Sequence, residues 1–289
     1  MDYKIRMTAA EDTIRAFAIT AKDTVEEART KHDTSPVATA ALGRLLCGAS
    51  MMSMMEKEAA DLLTLQVIGD GPLKGITVTV SPTGLLKGLV NVPQVDVPPK
   101  YKGKLDVGRA IGNGFLRVLR DTGVPEPYVG TVELVNGEIG EDLTYYFAQS
   151  EQTPSAVGLG VLVDTDWSVL CAGGFILQLM PDASELTIQT LEEHIAAIPP
   201  VTQMLSQGYT PEKMLEALLD GLHPSLLEKQ PVAYTCDCSR EKVTRSLISL
   251  NRKDLEEMIV DAKPIEVRCD FCGQTYVFMP DELKELCSK

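Results

Sequence analysis

The sequence predicts an α+β protein in three parts: an N-terminal core domain of mixed sheet and helix over residues 1–180, a helical linker over 181–231, and a small C-terminal four-cysteine domain over 232–289. Three observations carry this expectation. Strand-like and helix-like patterns alternate through the first part. At Pro181 the composition turns acidic and is punctuated by Pro and Gly. Five of the seven cysteines fall after residue 235. A chain of 289 residues has room for about two units, one with a sizeable core. With 44% hydrophobic but only 5% aromatic residues, that core is built from Val, Leu, Ile, Met and Ala.

In chain order, Tyr3, Ile5 and Met7 alternate with polar neighbours, and IRAFAIT at 14–20 reads as the returning strand of a hairpin. Ser35-Pro36 then opens a long helix through VATAALGRLLCGASMMSMM, with Ser as N-cap and Pro at the first helical position. Its small residues Ala38, Ala40, Ala41, Gly43, Gly48 and Ala49 let other elements come close. LLTLQVI, GITVTV and LLKGLVNV, separated by GDGP and SPTG, read as a meander. GRAIGNGFLRVLRD mixes helix and strand signals, YVGTVELV reads as a strand, and a capped helix spans about Glu141 to Gln149. SAVGLGVLVD and SVLCAGGFILQLM are two more strands that complete the sheet by about Met180.

From Leu179 to Pro231 the acidic residues outnumber the basic ones by eight to two. Asp182 and Glu185 suggest a capping box, followed by an apolar face of Ile188, Leu191, Ile195 and Ile198 that Pro199-Pro200 ends. A second short helix starts at Thr210-Pro211 and carries Met214, Leu215, Leu218 and Leu219. Helices below about 12–15 residues are marginal alone in water, so this linker is expected to be metastable.

The formal net charge of −14 repels a phosphate backbone, and no basic stretch interleaved with aromatics offsets it, so nucleic acid is not an expected partner. The N-terminus MDYKIRMTAA lacks signal-peptide character and no segment reaches about 18 uninterrupted apolar residues, so no membrane is expected and the cytoplasm is the expected compartment. GDGPLKG at 69–75 does not have GxGxxG spacing and reads as turn glycines, and the chain has no GxxxxGK[ST] phosphate loop. Without a GxSxG elbow or an HExxH pair the sequence names no nucleophile or hydrolytic zinc, and no enzyme is expected. His32, His194 and His223 are scattered and read as surface or capping residues.

Cysteines in a reducing compartment point to metal binding or redox chemistry rather than a permanent disulfide framework. Cys47 and Cys171 lie alone in apolar surroundings and read as buried, inert thiols, while Cys287 reads as a frayed terminal thiol. YTCDCSR and VRCDFCGQ set Cys236, Cys238, Cys269 and Cys272 in a CxC pair and a CxxC pair, 30 residues apart. Four thiolates complete one tetrahedral Zn²⁺ and leave no position for water, which is a closed site rather than a catalytic one. Spacing alone leaves two readings open: a structural zinc ribbon serving a constitutive protein-binding adaptor, and a redox switch. Two details favour the switch. A disulfide inside CxC closes a small, reducible ring, and Arg240, Lys242 and Arg268 stand beside the cysteines, where positive charge favours thiolate, although they also read as solvated surface charge.

SPVATAALGRLL at 35–46, GDGPLKG, KLDVGRAIG at 104–112, SEQTPSAVGLGVLV at 150–163, AGGFILQLMP at 172–181 and the cysteine pattern together resemble the bacterial redox-regulated chaperone family called heat shock protein thirty-three. The resemblance covers essentially the whole chain. It implies an ATP-independent holdase that is silent when reduced and zinc-bound. Oxidation would pair Cys236 with Cys238 and Cys269 with Cys272, release zinc, unfold the zinc domain and linker, and give a homodimer that binds unfolding client proteins.

Overall fold

The alternation at the N-terminus forms the expected hairpin: β1 (Tyr3–Ala9) pairs antiparallel with β2 (Ile14–Thr20). Ala10, Glu11 and Asp12 make the turn, all at positive φ. The computed structural model describes residues 1–56, 58, 60–101, 103–249, 260 and 263–287. It divides into two compact units, Met1–Thr235 and Cys236–Lys289.

The hairpin is followed by a helix that the sequence reading did not include, α1 (Lys22–His32). KDTVEEARTKH is polar almost throughout, and only Thr24, Val25 and Ala28 are buried, too narrow a stripe to stand out. The Ser-Pro helix follows as α2 (Pro36–Met52), with every residue but Pro36 and Arg44 buried. Ser35 holds the N-cap position without capping: its hydroxyl accepts from the Val95 N–H at 3.3 Å. With the 3₁₀ turn Ser53–Met55 this stretch is long and apolar enough to cross a membrane by length and composition, yet it is 94% buried inside the protein and serves as the core helix. Gly43 and Gly48 show why small residues are needed along it. A methyl carbon there would come within 2.7 Å of Val25 and 2.6 Å of Leu143.

The predicted meander is β3 (Leu62–Gly69), β4 (Ile76–Val80) and β5 (Leu86–Val90). The mixed segment resolves into a one-turn helix, α3 (Val107–Ile111), and β6 (Gly114–Asp121), which pairs β3 on one side and β7 (Tyr128–Glu133) on the other. The glycines of GDGPLKG do serve a close turn: Gly71 donates its N–H to the Ile111 carbonyl at 2.8 Å, where any side chain would collide with backbone. α4 (Gly140–Ser150) is capped by buried Asp142, whose carboxylate accepts the Val135 N–H at 2.7 Å and the Ile139 N–H at 2.8 Å.

β8 (Ser155–Val163) and β9 (Val169–Leu179) end the predicted strands, but they do not complete one sheet. Among the described residues there are two five-stranded sheets in this unit, ordered β5-β4-β3-β6-β7 and β10-β1-β2-β9-β8. α2 packs on both, touching β4 and β5 of one and β8 and β9 of the other. The second sheet is closed by β10 (Ser225–Pro231), from the stretch expected to be helical only. SLLEKQP has no alternation to reveal it, and a strand ending in Pro is tolerated because it lies at an edge.

The helices expected after Pro181 are three rather than two: α5 (Glu185–Ala197), α6 (Val201–Ser206) and α7 (Pro211–Leu218). Ser184, not Asp182, caps α5, accepting from the Thr187 N–H at 3.1 Å. These helices cover one face of the second sheet. Leu191, Val201, Met204, Met214, Leu215, Leu218 and Leu219 close over Ile5, Met7, Ile14, Ala16, Ala18, Phe175 and Leu177. Of the predicted α5 stripe, Leu191 is buried while Ile188, Ile195 and Ile198 are half-buried; α7 buries more, with Met214, Leu215 and Leu218 fully enclosed.

Candidate metal centre

Among its described residues the second unit has little apolar core: only Leu247, Phe278 and Leu283 are buried together, with Val243, Ile265, Val267 and Tyr276 packed against them. Units this small commonly rely on a covalent or metal cross-link to supplement their core. The cysteines offer such a link.

The CxxC pair sits on a hairpin of β11 (Ile265–Arg268) and β12 (Thr275–Phe278). Cys269 donates its N–H to the Gln274 carbonyl at 2.9 Å, and Gly273 donates to the Cys269 carbonyl at 2.8 Å, so the turn folds back on its first cysteine. Gly273 takes φ 75°, the left-handed region a side chain resists. The CxC pair lies in extended chain just before α8 (Arg240–Ile248), whose N-cap Ser239 accepts from the Lys242 N–H at 3.3 Å. α9 (Pro280–Cys287) ends the unit. Cys287 closes that helix, but its side chain lies outside the described ones.

The Sγ atoms of Cys236, Cys238, Cys269 and Cys272 all lie within 4.8 Å of one another. Cys236 Sγ lies 3.8 Å from Cys269 Sγ, and Cys238 Sγ 3.3 Å from Cys272 Sγ. Zinc–sulfur bonds of about 2.3 Å in a tetrahedron set sulfurs about 3.8 Å apart, and four sulfurs within 4.8 Å of one another are near enough to close on one such ion. Electrostatics supports the same reading. Burial, followed by the neighbouring thiols, pushes Cys236 up to about 12, and burial also raises Cys272. Burial would likewise raise Cys238, but hydrogen bonds from Tyr276 and the adjoining thiols bring it below the ordinary thiol value. Four sulfurs this close cannot all be thiolates unless a cation compensates them. The cluster could therefore hold a metal ion.

Of the basic residues expected to favour thiolate, Arg240 is engaged on α9 and β12, whereas Lys242 binds the residue between the CxC cysteines. Arg240 pairs with Glu282 at 2.7 Å, donates to the Val277 carbonyl at 2.9 Å and lies over the Phe278 ring, and Lys242 pairs with Asp237. The residue that sequence reasoning missed is Tyr276, whose hydroxyl donates to Cys238 Sγ at 3.2 Å. Its position on the strand leaving the CxxC turn was the available signal.

Of the remaining cysteines, Cys47 is fully buried and burial raises its pKa far above the thiol range. Cys171 is buried, its pKa raised by burial, with Sγ 3.7 Å from the Thr202 carbonyl. Neither is a reactive thiol. His194 does cap: its Nδ1–H donates to the Leu218 carbonyl at 3.0 Å at the end of α7. His32 Nε2 meets the Tyr234 hydroxyl at 3.0 Å, and His223 is exposed.

The family model described as Hsp33 protein matches residues 2–279. The 33 kDa chaperonin of Lachnoclostridium phytofermentans is 52% identical over 288 residues, covering 100% of this chain and 99% of that protein. That of Agathobacter rectalis is 52% identical over 285 residues, with 99% of each chain covered. Among solved structures, the 33 kDa chaperonin (heat shock protein 33 homolog) of Thermotoga maritima matches with a TM-score of 0.91 at 38% identity, covering 99% of this chain and 97% of that one. These relatives are named as chaperonins rather than as enzymes. Fold, cysteine cluster and relatives agree, and the chain belongs to the Hsp33 family of chaperones.

Proposed function

We propose that this protein is a redox-regulated, ATP-independent holdase of the cytoplasm that binds unfolding client proteins when oxidised and is silent when reduced and zinc-loaded. The observation that carries the reading is the four-sulfur cluster in a unit whose described residues bury few apolar side chains, in a chain whose helices α5–α7 cover an apolar sheet face. Zn²⁺ suits the site because an all-thiolate tetrahedral donor set is the one it favours in structural sites.

Oxidation is written for the two sequence neighbours, Cys236 with Cys238 and Cys269 with Cys272. Each new S–S bond takes two electrons from two thiolates, and a peroxide is reduced to water in the process. Disulfide formation consumes the donors that hold the cation, so the second unit loses its cross-link. The proposed chain of effects runs from there to the linker, residues 181–231, which gives up its packing and uncovers Ile5, Met7, Phe175 and Leu177. The oxidised protein acts as a homodimer, without nucleic acid or membrane as partner.

The test is aggregation of a chemically unfolded client, followed by light scattering without ATP, in reduced and in peroxide-treated protein. Suppression only after oxidation supports the reading. Equal suppression in both states with metal retained would instead establish the constitutive zinc-ribbon adaptor.

A further inference from the structure

β10 is an edge strand and pairs in the sheet with β1 alone. It pairs with β1 from Tyr3↔Pro231 to Thr8↔Ser225, with a register shift between Arg6 and Met7. None of its side chains is buried, and Leu226 and Leu227 are 49% and 54% exposed. β1 beside it carries Ile5 at 0% and Met7 at 5% exposure. What holds β10 is therefore main-chain pairing, plus one polar tie: Lys229 reaches Glu212 of α7 at 2.9 Å and lies over the Tyr3 ring at 3.9 Å. Partly exposed ties of this kind are weak. The chain beyond β10 is pinned by Val232 N–H to the Asp2 carbonyl, by the Tyr234 hydroxyl to the Gly88 carbonyl and by Thr235 N–H to the Leu86 carbonyl. Cys236 is the next residue.

We propose that the β1 edge is a client-binding site, that β10 occupies it as an internal stand-in, and that the occupant after oxidation is an extended segment of unfolded polypeptide added as an antiparallel strand. This deepens the holdase reading and rests on it. An edge that loses its neighbour exposes a row of unpaired N–H and C=O groups, which any extended backbone can satisfy whatever its sequence. Such pairing suits a protein that must accept many clients. The same edge borders the sheet face under α5–α7, so alternate side chains of an added strand would meet Ile5 and Met7 once those helices leave.

The experiment uses the full-length chain and a fluorescent peptide of residues 224–232. Anisotropy should report binding to oxidised protein at least tenfold tighter than to reduced protein, and the peptide should slow client capture. The same peptide carrying Glu228→Pro and Gln230→Pro, which removes the two backbone donors that face β1 opposite Arg6 and Lys4, should bind about tenfold more weakly. Hydrogen exchange is read in parallel: β1 amides that donate to β10 should lose protection on oxidation and regain it with client. Equal binding of the two peptides, or β1 amides that stay protected through oxidation, overturns the proposal. Failure of the oxidised protein to suppress aggregation at all is a different result and would count against the holdase reading itself.

Discussion

The two compact units offer different chemistry to hold each together. In Met1–Thr235 the core helix α2 is enclosed between two sheets, and the cluster around it runs through Leu42, Leu45, Leu46, Met51, Met52, Leu63, Val78 and Tyr146. Among the described residues of Cys236–Lys289, three buried apolar side chains stand beside four clustered sulfurs. Apolar burial is spread over many contacts, and no single chemical event removes it. A metal cross-link concentrates stability in four atoms that one oxidant can convert. A protein that must stay folded in one part while another part answers to oxidant gains from keeping these two kinds of stability apart. The cluster under α5–α7 falls between them, since it is well buried but rests on helices too short to stand alone.

The comparison breaks most visibly at a sulfur. Structural zinc contributes about 10–16 kcal/mol to small modules, against a net stability of about 3–8 kcal/mol for a unit of some fifty residues. Cys272→Ser should therefore release zinc, unfold the second unit and undock α5–α7, while the core around α2 keeps its thermal transition. Calorimetry with a zinc indicator checks this; zinc affinity close to that of the unaltered protein would contradict it.

The next effect lies in α7. Leu218→Asp places a charge in a fully buried position and should cost about 2–5 kcal/mol, enough to undock the linker with zinc still bound. Client binding by the reduced variant, with faster proteolysis inside 181–231, is the expected result. Ile195→Asp should do the same more weakly, because Ile195 is only half-buried.

A smaller effect concerns the tie among α7, β1 and β10. Burial pushes the Glu212 carboxyl up, but the Tyr3 hydroxyl at 2.6 Å and Lys229 at 2.9 Å outweigh it and hold the group down at about 2. A carboxylate lowered in the folded state stabilises above its unfolded pKa of about 4.3 and loses that contribution as pH falls toward 2. Glu212→Gln should therefore flatten the acid limb of linker stability between about pH 4 and pH 2. Unchanged acid sensitivity of residues 211–231 in hydrogen exchange would show that the tie contributes nothing.

The smallest effect belongs to the buried thiols. Cys47→Ala or Cys171→Ala should leave oxidative activation intact, at a packing cost near 1 kcal/mol. Loss of activation in either variant would mean that these thiols take part in the switch.

How far the sequence spoke depended on where each signal sits. The hairpin, the meander, α2 and the cysteine cluster were legible because alternation, Ser-Pro and CxC…CxxC are local patterns. α1 was not, because its buried stripe is three residues wide. β10 was not, because its pairing is decided by the free edge of β1, more than two hundred residues earlier in the chain. Tyr276 was hidden for a similar reason: its contact with Cys238 spans 38 residues.

The central claim is that oxidation of the cysteines is read out at the sheet face under α5–α7. The most direct measurement is hydrogen exchange across the full chain during peroxide treatment, with zinc release followed on the same sample. The account predicts that amides of α5–α7 lose protection in step with zinc release, while those of α2 stay protected. Client capture by oxidised protein whose α5–α7 amides remain fully protected would contradict it.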